Sequence, residues 1–399
     1  MKSSARIAAI IALLACSCPL RPAQQAKPAA ASFLETRQID VGGHKLTIQT
    51  AGTASAGEPT VVLDYGLGSA VGTWNEIFPA LSRFARVVAY DRAGYAKSEA
   101  GPEPRSFENN AKDLHALLYG ANIAPPYVLV GHSLGGANMR AFAHLYKDEV
   151  AGLVLIDPIN ITVFTSATQQ DVGRAQAQQE AALRNAPAGA QAEWKFVKEE
   201  MKNNFPQLSS FGAPPDVPMA VLIAGRDRLP HWVKSLLSEY GAWVGDASEA
   251  SLIVTPESSH YIQLDDPKLV IAAIRRVVFP DVQNRMARTI KDKGTGAAIA
   301  LYRRMKETYP ADFFRESTLN ALGYQELRAQ HVPEAIVLFR LNVEMYPKGF
   351  NTYDSLAEAY MMQGDHDLAI ANYRKSLELN PENTNAVAML KKLESAPSK

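Results

Sequence analysis

The chain has 399 residues, of which 47% are hydrophobic and 21% charged, and its acidic and basic side chains balance to a formal net charge of zero. That length holds two domains, or one large domain with an appendage, and the charge balance excludes the basic footprint of a nucleic-acid binder and a general affinity for anionic membranes. Both cysteines, Cys16 and Cys18, fall near the start, so the domains beyond them have neither a disulfide framework nor a thiolate metal site.

Lys2 and Arg6 give the chain a basic start, and residues 7–15 form an apolar run. That run is too short to cross a bilayer, which takes about 20 residues, and residues 1–18 read as a secretory signal. Leu13-Leu14-Ala15-Cys16 is similar to a bacterial lipoprotein box, with Cys16 as the lipidated residue; cleavage further on, within 22–32, is the alternative. The expected location is therefore outside the cytoplasm: periplasmic, secreted, or held to the cell envelope by a lipid anchor, which would be the only membrane contact. Residues 19–35, rich in Pro, Ala and Gln, read as a flexible tether.

Residues 38–41 and 45–48 alternate around Gly42-Gly43, an antiparallel hairpin. The pattern then changes to short apolar runs at 60–65, 87–90, 127–130, 153–156, 219–224 and 252–254. Between them lie helical segments near 74–83, 107–119, 134–147, 231–240 and 266–278. Strands with no polar alternation, separated by helices, predict an α/β fold whose mostly parallel sheet is covered on both faces.

The stretch Tyr127-Val128-Leu129-Val130-Gly131-His132-Ser133-Leu134-Gly135-Gly136 reads as a buried strand, then Gly-x-Ser-x-Gly, then an amphipathic helix. A serine at such a corner projects its hydroxyl from a tight turn, and glycines on either side remove the side chains that would crowd it. The chain here resembles the nucleophile elbow of the α/β-hydrolase family. The resemblance implies Ser133 as nucleophile and, in the loop between the last strand and last helix, His260 as its base. It implies Asp227, after the run 219–224, as the acid that orients the histidine; Asp157, at the end of the preceding strand, is the alternative acid. It also implies an oxyanion hole built from the backbone N–H groups of Leu134 and of Leu67, in Tyr65-Gly66-Leu67-Gly68. Many relatives carry His-Gly where this chain has Tyr65-Gly66, a change that keeps the backbone donor. Asp91-Arg92-Ala93-Gly94-Tyr95-Ala96-Lys97-Ser98 resembles a turn of the same family and reads as structural, its charges pinning loops.

No strand pattern occurs between Asp157 and Met219. A structureless loop of that length is improbable, and two amphipathic stretches, 171–185 and 191–205, predict a helical cap over about 158–215. Phe164, Trp194, Met201 and Phe205 are candidates to line an acyl pocket there, or to pack the cap onto the core. After 280 the character changes. Gly323, Ala335, Phe339 and Pro347 recur as Ala357, Ala369, Tyr373 and Pro381, each pair 34 residues apart. This resembles the tetratricopeptide repeat. The domain plan is therefore a hydrolase domain over 36–280 and an all-α repeat domain over 281–399, with full repeats at 316–349 and 350–383. An irregular earlier copy carries Ala298, Tyr302 and Pro310, and 385–393 can close the stack.

No His-Glu-x-x-His, phosphate loop or calcium loop is present in the sequence, so no metal or nucleotide cofactor is expected. The reading is an exported serine hydrolase acting on a small-molecule ester or related acyl bond. The same residues would serve an amidase, peptidase or acyltransferase. The repeats are expected to dock a protein partner or to self-associate, and a non-catalytic adaptor working through them is the rival from another class.

Overall fold

A computed structural model describes residues 35–54, 57–161, 169–226, 228, 230–245 and 249–395, with the backbone alone at 169, 171, 230–232 and 308. The expected signal, the tether and Cys16 lie outside the described residues, as do Asp227 and Phe164. The chain divides into two compact units, the first ending at Val278 and the second running from Phe279.

The first unit is built on an eight-stranded sheet: β1 (Glu35–Asp40), β2 (Lys45–Ala51), β3 (Thr60–Asp64), β4 (Val87–Asp91), β5 (Tyr127–His132), β6 (Val150–Ile156), β7 (Met219–Ala224) and β8 (Ala250–Thr255). Their order across the sheet is β1-β2-β4-β3-β5-β6-β7-β8. The hairpin β1–β2 and the pair β2–β4 are antiparallel; every other neighbour is parallel. Every residue of β3, β4, β5 and β7 is buried, which is why these strands read as unbroken apolar runs. Each such Val, Leu or Ile contributes about 1.5–3 kcal/mol relative to exposure. These strands are therefore held more firmly than β8, which is mostly half-buried.

Strand order decides where a site can form. The chain runs outward from β3 to β4, then returns so that β5 lies on the other side of β3. Connections leave in opposite directions at that point, and in open α/β sheets ligands bind at such a switch point, beyond the carboxyl ends of the strands, here β3 and β5. The register sets Asp64 at the end of β3 beside Gly131 of β5. The loop after β3 and the turn after β5 therefore meet there.

Helices cover the sheet largely as expected. Phe107–Gly120 is capped by Ser106, whose hydroxyl accepts from Asn109 N–H at 3.1 Å. The helix expected at 74–83 is instead a 3₁₀ turn, Val71–Trp74, and a short helix, Phe78–Leu81. Pro79 accounts for the break: it fits only the first turn of a helix, so the helix must restart just before it. The cap region folds as helices Gln169–Leu183, Ala188–Lys202 and Pro206–Ser210. Trp194 and Phe205 are buried and Met201 is half-buried. Phe205 turns the chain in a left-handed conformation (φ 54°), and Glu200 accepts from Gln207 and Leu208 N–H to start the next short helix.

The second unit is helical: Val282–Lys293, Thr295–Thr308, Glu316–Arg328, Val332–Met345, Phe350–Gln363, His366–Leu379 and Thr384–Glu394. The residues that recur in sequence are those that meet in space. Ala335, Phe339, Ala357, Ala369 and Tyr373 are fully buried in one cluster. Gly323 faces the Phe339 ring so closely that an added Cβ would fall 2.4 Å from it. Small residues at these crossings let paired helices approach, and the 34-residue period follows from repeating that crossing.

Candidate active site

Ser133 sits between β5 and the helix Leu134–Leu145 with φ 53° and ψ −117°, a conformation costly for any residue with a Cβ. The surroundings over-determine it. Its N–H donates to Ile156 C=O at 3.0 Å, and its own C=O accepts from Gly136 and Ile159 N–H. A Cβ on Gly131 would lie 2.5 Å from Gly135 O, and one on Gly135 would lie 2.3 Å from Asp64 O. Both flanking glycines are thus required by backbone contact, which gives the Gly-x-Ser-x-Gly spacing its physical cause.

The loop after β3 closes over this corner. A Cβ on Gly66 would lie 3.2 Å from Ser133 Cβ and 3.1 Å from His132 Nδ1. Neither Leu67 N–H nor Leu134 N–H has a hydrogen-bond partner among the described residues. Leu134 opens its helix, where free N–H groups favour negative charge. The neighbouring Gly68 N–H is occupied, donating to Tyr95 Oη at 3.1 Å.

His260 follows β8 and is buried. Its Nδ1 lies 2.6 Å from Asp157 Oδ2, so Nδ1 carries the proton to the carboxylate and Nε2 keeps a lone pair. Asp157, left-handed at φ 43°, also accepts from Ala224 N–H (3.0 Å) and from Arg228 Nη2 (2.5 Å). Burial works against its ionisation, but Arg228, the hydrogen bond from His260 and the Ala224 N–H outweigh it and hold its pKa below the ordinary value. His132 fixes the other side of the loop: its Nε2 donates to the His260 carbonyl at 2.8 Å, and the two rings lie 4.6 Å apart. Burial, reinforced by His260, pushes the His132 pKa down to about 3, so it remains a neutral donor. No hydrogen bond joins Ser133 Oγ to His260 among the described residues; such contacts commonly tighten only once substrate is bound.

Residues 59–193 match the family model of the alpha/beta hydrolase fold, and residues 355–383 match that of the tetratricopeptide repeat. The first unit has the α/β-hydrolase fold. The chain is 26% identical over 219 residues to the uncharacterized protein YqjL of Bacillus subtilis, covering 54% of this chain and 81% of that protein. It is 27% identical over 146 residues to 2-hydroxy-6-oxo-6-(2'-aminophenyl)hexa-2,4-dienoic acid hydrolase of Metapseudomonas resinovorans, covering 36% of this chain and 49% of that enzyme. The Cif epoxide hydrolase structure from Acinetobacter nosocomialis superposes with a TM-score of 0.49 at 16% identity, covering 63% of this chain and 91% of that one. The chain spans from 18% to 81% of the length of the curated relatives it matches first.

The structure therefore brings Ser133, Leu67, Leu134, His260 and Asp157 to one corner of the first unit. Sequence reasoning ranked Asp227 ahead of Asp157 and did not pair Arg228 with Asp157. It also overlooked a buried cluster beneath the Leu67 loop, formed by Asp64, Arg92, Tyr95 and Glu193. Its signal was a carboxylate, Asp64, ending an otherwise apolar strand.

Proposed function

We propose that the hydrolase unit cleaves a carboxylic ester through an acyl-enzyme. Ser133 Oγ attacks the carbonyl carbon while His260 Nε2 takes its proton, and Asp157 holds the histidine tautomer and balances the imidazolium. Asp157 replaces Asp227 as the favoured acid because its carboxylate already occupies Nδ1 of His260. The tetrahedral oxyanion is stabilised by Leu67 and Leu134 N–H. The intermediate collapses as His260 returns the proton to the leaving alcohol. Water, deprotonated by the same histidine, then attacks the acyl-enzyme and releases the carboxylate. The observation that carries this reading is the 2.6 Å Asp157–His260 pair against the strained elbow that presents Ser133.

Hydrolysis of p-nitrophenyl acetate and butyrate, set beside the matching p-nitroanilides, tests the substrate class. Ester turnover well above anilide turnover is expected; turnover of the anilides alone would replace the esterase reading with an amidase. We further propose that the enzyme works outside the cytoplasm, on the strength of the basic start and apolar run at residues 1–18. The repeats are proposed to hold a protein partner, supported by the tetratricopeptide match.

A further inference from the structure

The peptide groups on both sides of Leu67 are gripped by a single buried cluster whose outermost member belongs to the cap. Arg92, 2% exposed, follows β4 directly. Its Nη1 donates to the Asp64 carboxylate and, at 2.7 Å, to Tyr65 C=O. Its Nη2 reaches Gly66 C=O at 3.3 Å. Its Nε and Nη2 then form a two-pronged pair with Glu193, at 2.6 and 2.9 Å. Glu193, 1% exposed, lies on the cap helix Ala188–Lys202.

The same carboxylate also accepts from Tyr95 Oη at 2.6 Å, and Tyr95 Oη accepts from Gly68 N–H. In a trans peptide the C=O of one residue and the N–H of the next point in opposite directions. Holding Gly66 C=O on Arg92 therefore turns Leu67 N–H away from Arg92. Holding Gly68 N–H on Tyr95 fixes the following peptide plane. A flip of either plane would break a buried hydrogen bond, which costs more than an exposed one. The cap is seated on this turn by two glycines: Gly189 N–H donates to Gly94 C=O at 3.1 Å, and a Cβ on Gly189 would lie 2.2 Å from Ala93 O.

We propose that Glu193 and Arg92 are positioning residues that make the Leu67 oxyanion donor depend on a seated cap. The cap helix completes the coordination of Arg92, and Arg92 with Tyr95 aims the donor. An unseated cap leaves the loop free to turn its carbonyl toward the reacting oxygen. The catalytic part of this inference rests on the ester-hydrolase reading above; the link between cap and loop does not.

The test compares the full-length wild type with Glu193→Ala, Glu193→Gln and Arg92→Lys by two measurements. The first is hydrogen–deuterium exchange. In Glu193→Ala the amides of 66–70 should exchange roughly tenfold faster, while those of β5 and the helix Leu134–Leu145 stay protected. The second is kinetic. The kcat for p-nitrophenyl butyrate should fall about 10- to 100-fold with KM within about twofold, because one oxyanion donor is worth about 10²–10³ and here it is loosened, not removed. Affinity for a trifluoromethyl ketone, which forms the tetrahedral adduct, should fall by the same factor. Glu193→Gln keeps an acceptor for Arg92 Nε and should lie between. Arg92→Lys, a conservative change that cannot form the fork, should behave like Glu193→Ala. Unchanged exchange at 66–70 in a folded Glu193→Ala overturns the proposal. Faster exchange in a chain that hydrolyses no ester would uphold the link and reject the hydrolytic reading instead.

Discussion

Asp157→Asn should lower kcat for ester hydrolysis by about 10⁴, as expected when a histidine loses the carboxylate that fixes its tautomer. The amide can present either its oxygen or its NH₂ to His260 Nδ1. Either way it removes the charge that stabilises the imidazolium. The same change leaves Arg228 buried without its carboxylate, since the two side chains are 3% and 2% exposed and pair directly. Removing one partner of a buried pair costs about 3–5 kcal/mol. The stability effect depends on pH, and its sign follows from the lowered carboxyl pKa. Asp157 titrates below 3.8 when folded and near 3.8 when unfolded. Its contribution is fully present above the unfolded value and is lost as pH falls through the folded one. Urea melts should therefore show wild type well above Asp157→Asn at pH 7, with the gap closing below about pH 3.8. If Asp157→Asn keeps its activity while Asp227→Asn loses it, the acid is Asp227.

Ser133→Ala should cost about 10⁶ in kcat, with the residual rate supplied by binding and the oxyanion donors. Its fold should be untouched, because alanine inherits the same backbone conformation and the hydroxyl makes no hydrogen bond among the described residues that holds the turn. Ser133→Gly separates strain from chemistry. Glycine accepts φ 53° without penalty, which recovers about 1–3 kcal/mol of strain against about 0.5–1 kcal/mol of added chain entropy in the unfolded state. Ser133→Gly should be as inactive as Ser133→Ala yet melt at a higher temperature. A Ser133→Gly variant that melts lower would mean the turn stores no strain.

The fold was legible where burial and local sequence coincide. β3, β5 and β7 are buried on both faces, so each appears as an apolar run. Ser133 was legible because the contacts that forbid a Cβ at Gly131 and Gly135 lie within or beside the motif itself. The choice of acid is less legible. Asp157 and Asp227 each follow a strand, and the resemblance alone put Asp227 first. What favours Asp157 in the proposed mechanism is contact with His260, 103 residues away, and with Arg228, 71 residues away. The Arg92–Glu193 pair is separated by 101 residues and joins a turn to a cap helix, so each partner alone reads as an ordinary surface charge. Periodicity reports which face of an element is buried; it says nothing of which charge meets which across the sheet. The repeats were legible for the opposite reason: their contacts recur at a fixed short separation, so packing at Phe339 is written again at Tyr373.

In the proposed mechanism Ser133, alone among the described serines, is made nucleophilic by its surroundings. A fluorophosphonate probe tests it directly, since it phosphonylates an activated serine hydroxyl and ignores ordinary ones. Incubated with the native full-length chain, digested and mapped, the probe should sit on the peptide carrying Ser133 at close to one per chain. Labelling should vanish in Ser133→Ala and slow strongly in Asp157→Asn. A folded chain that takes up no probe, or takes it up at another residue, contradicts the account.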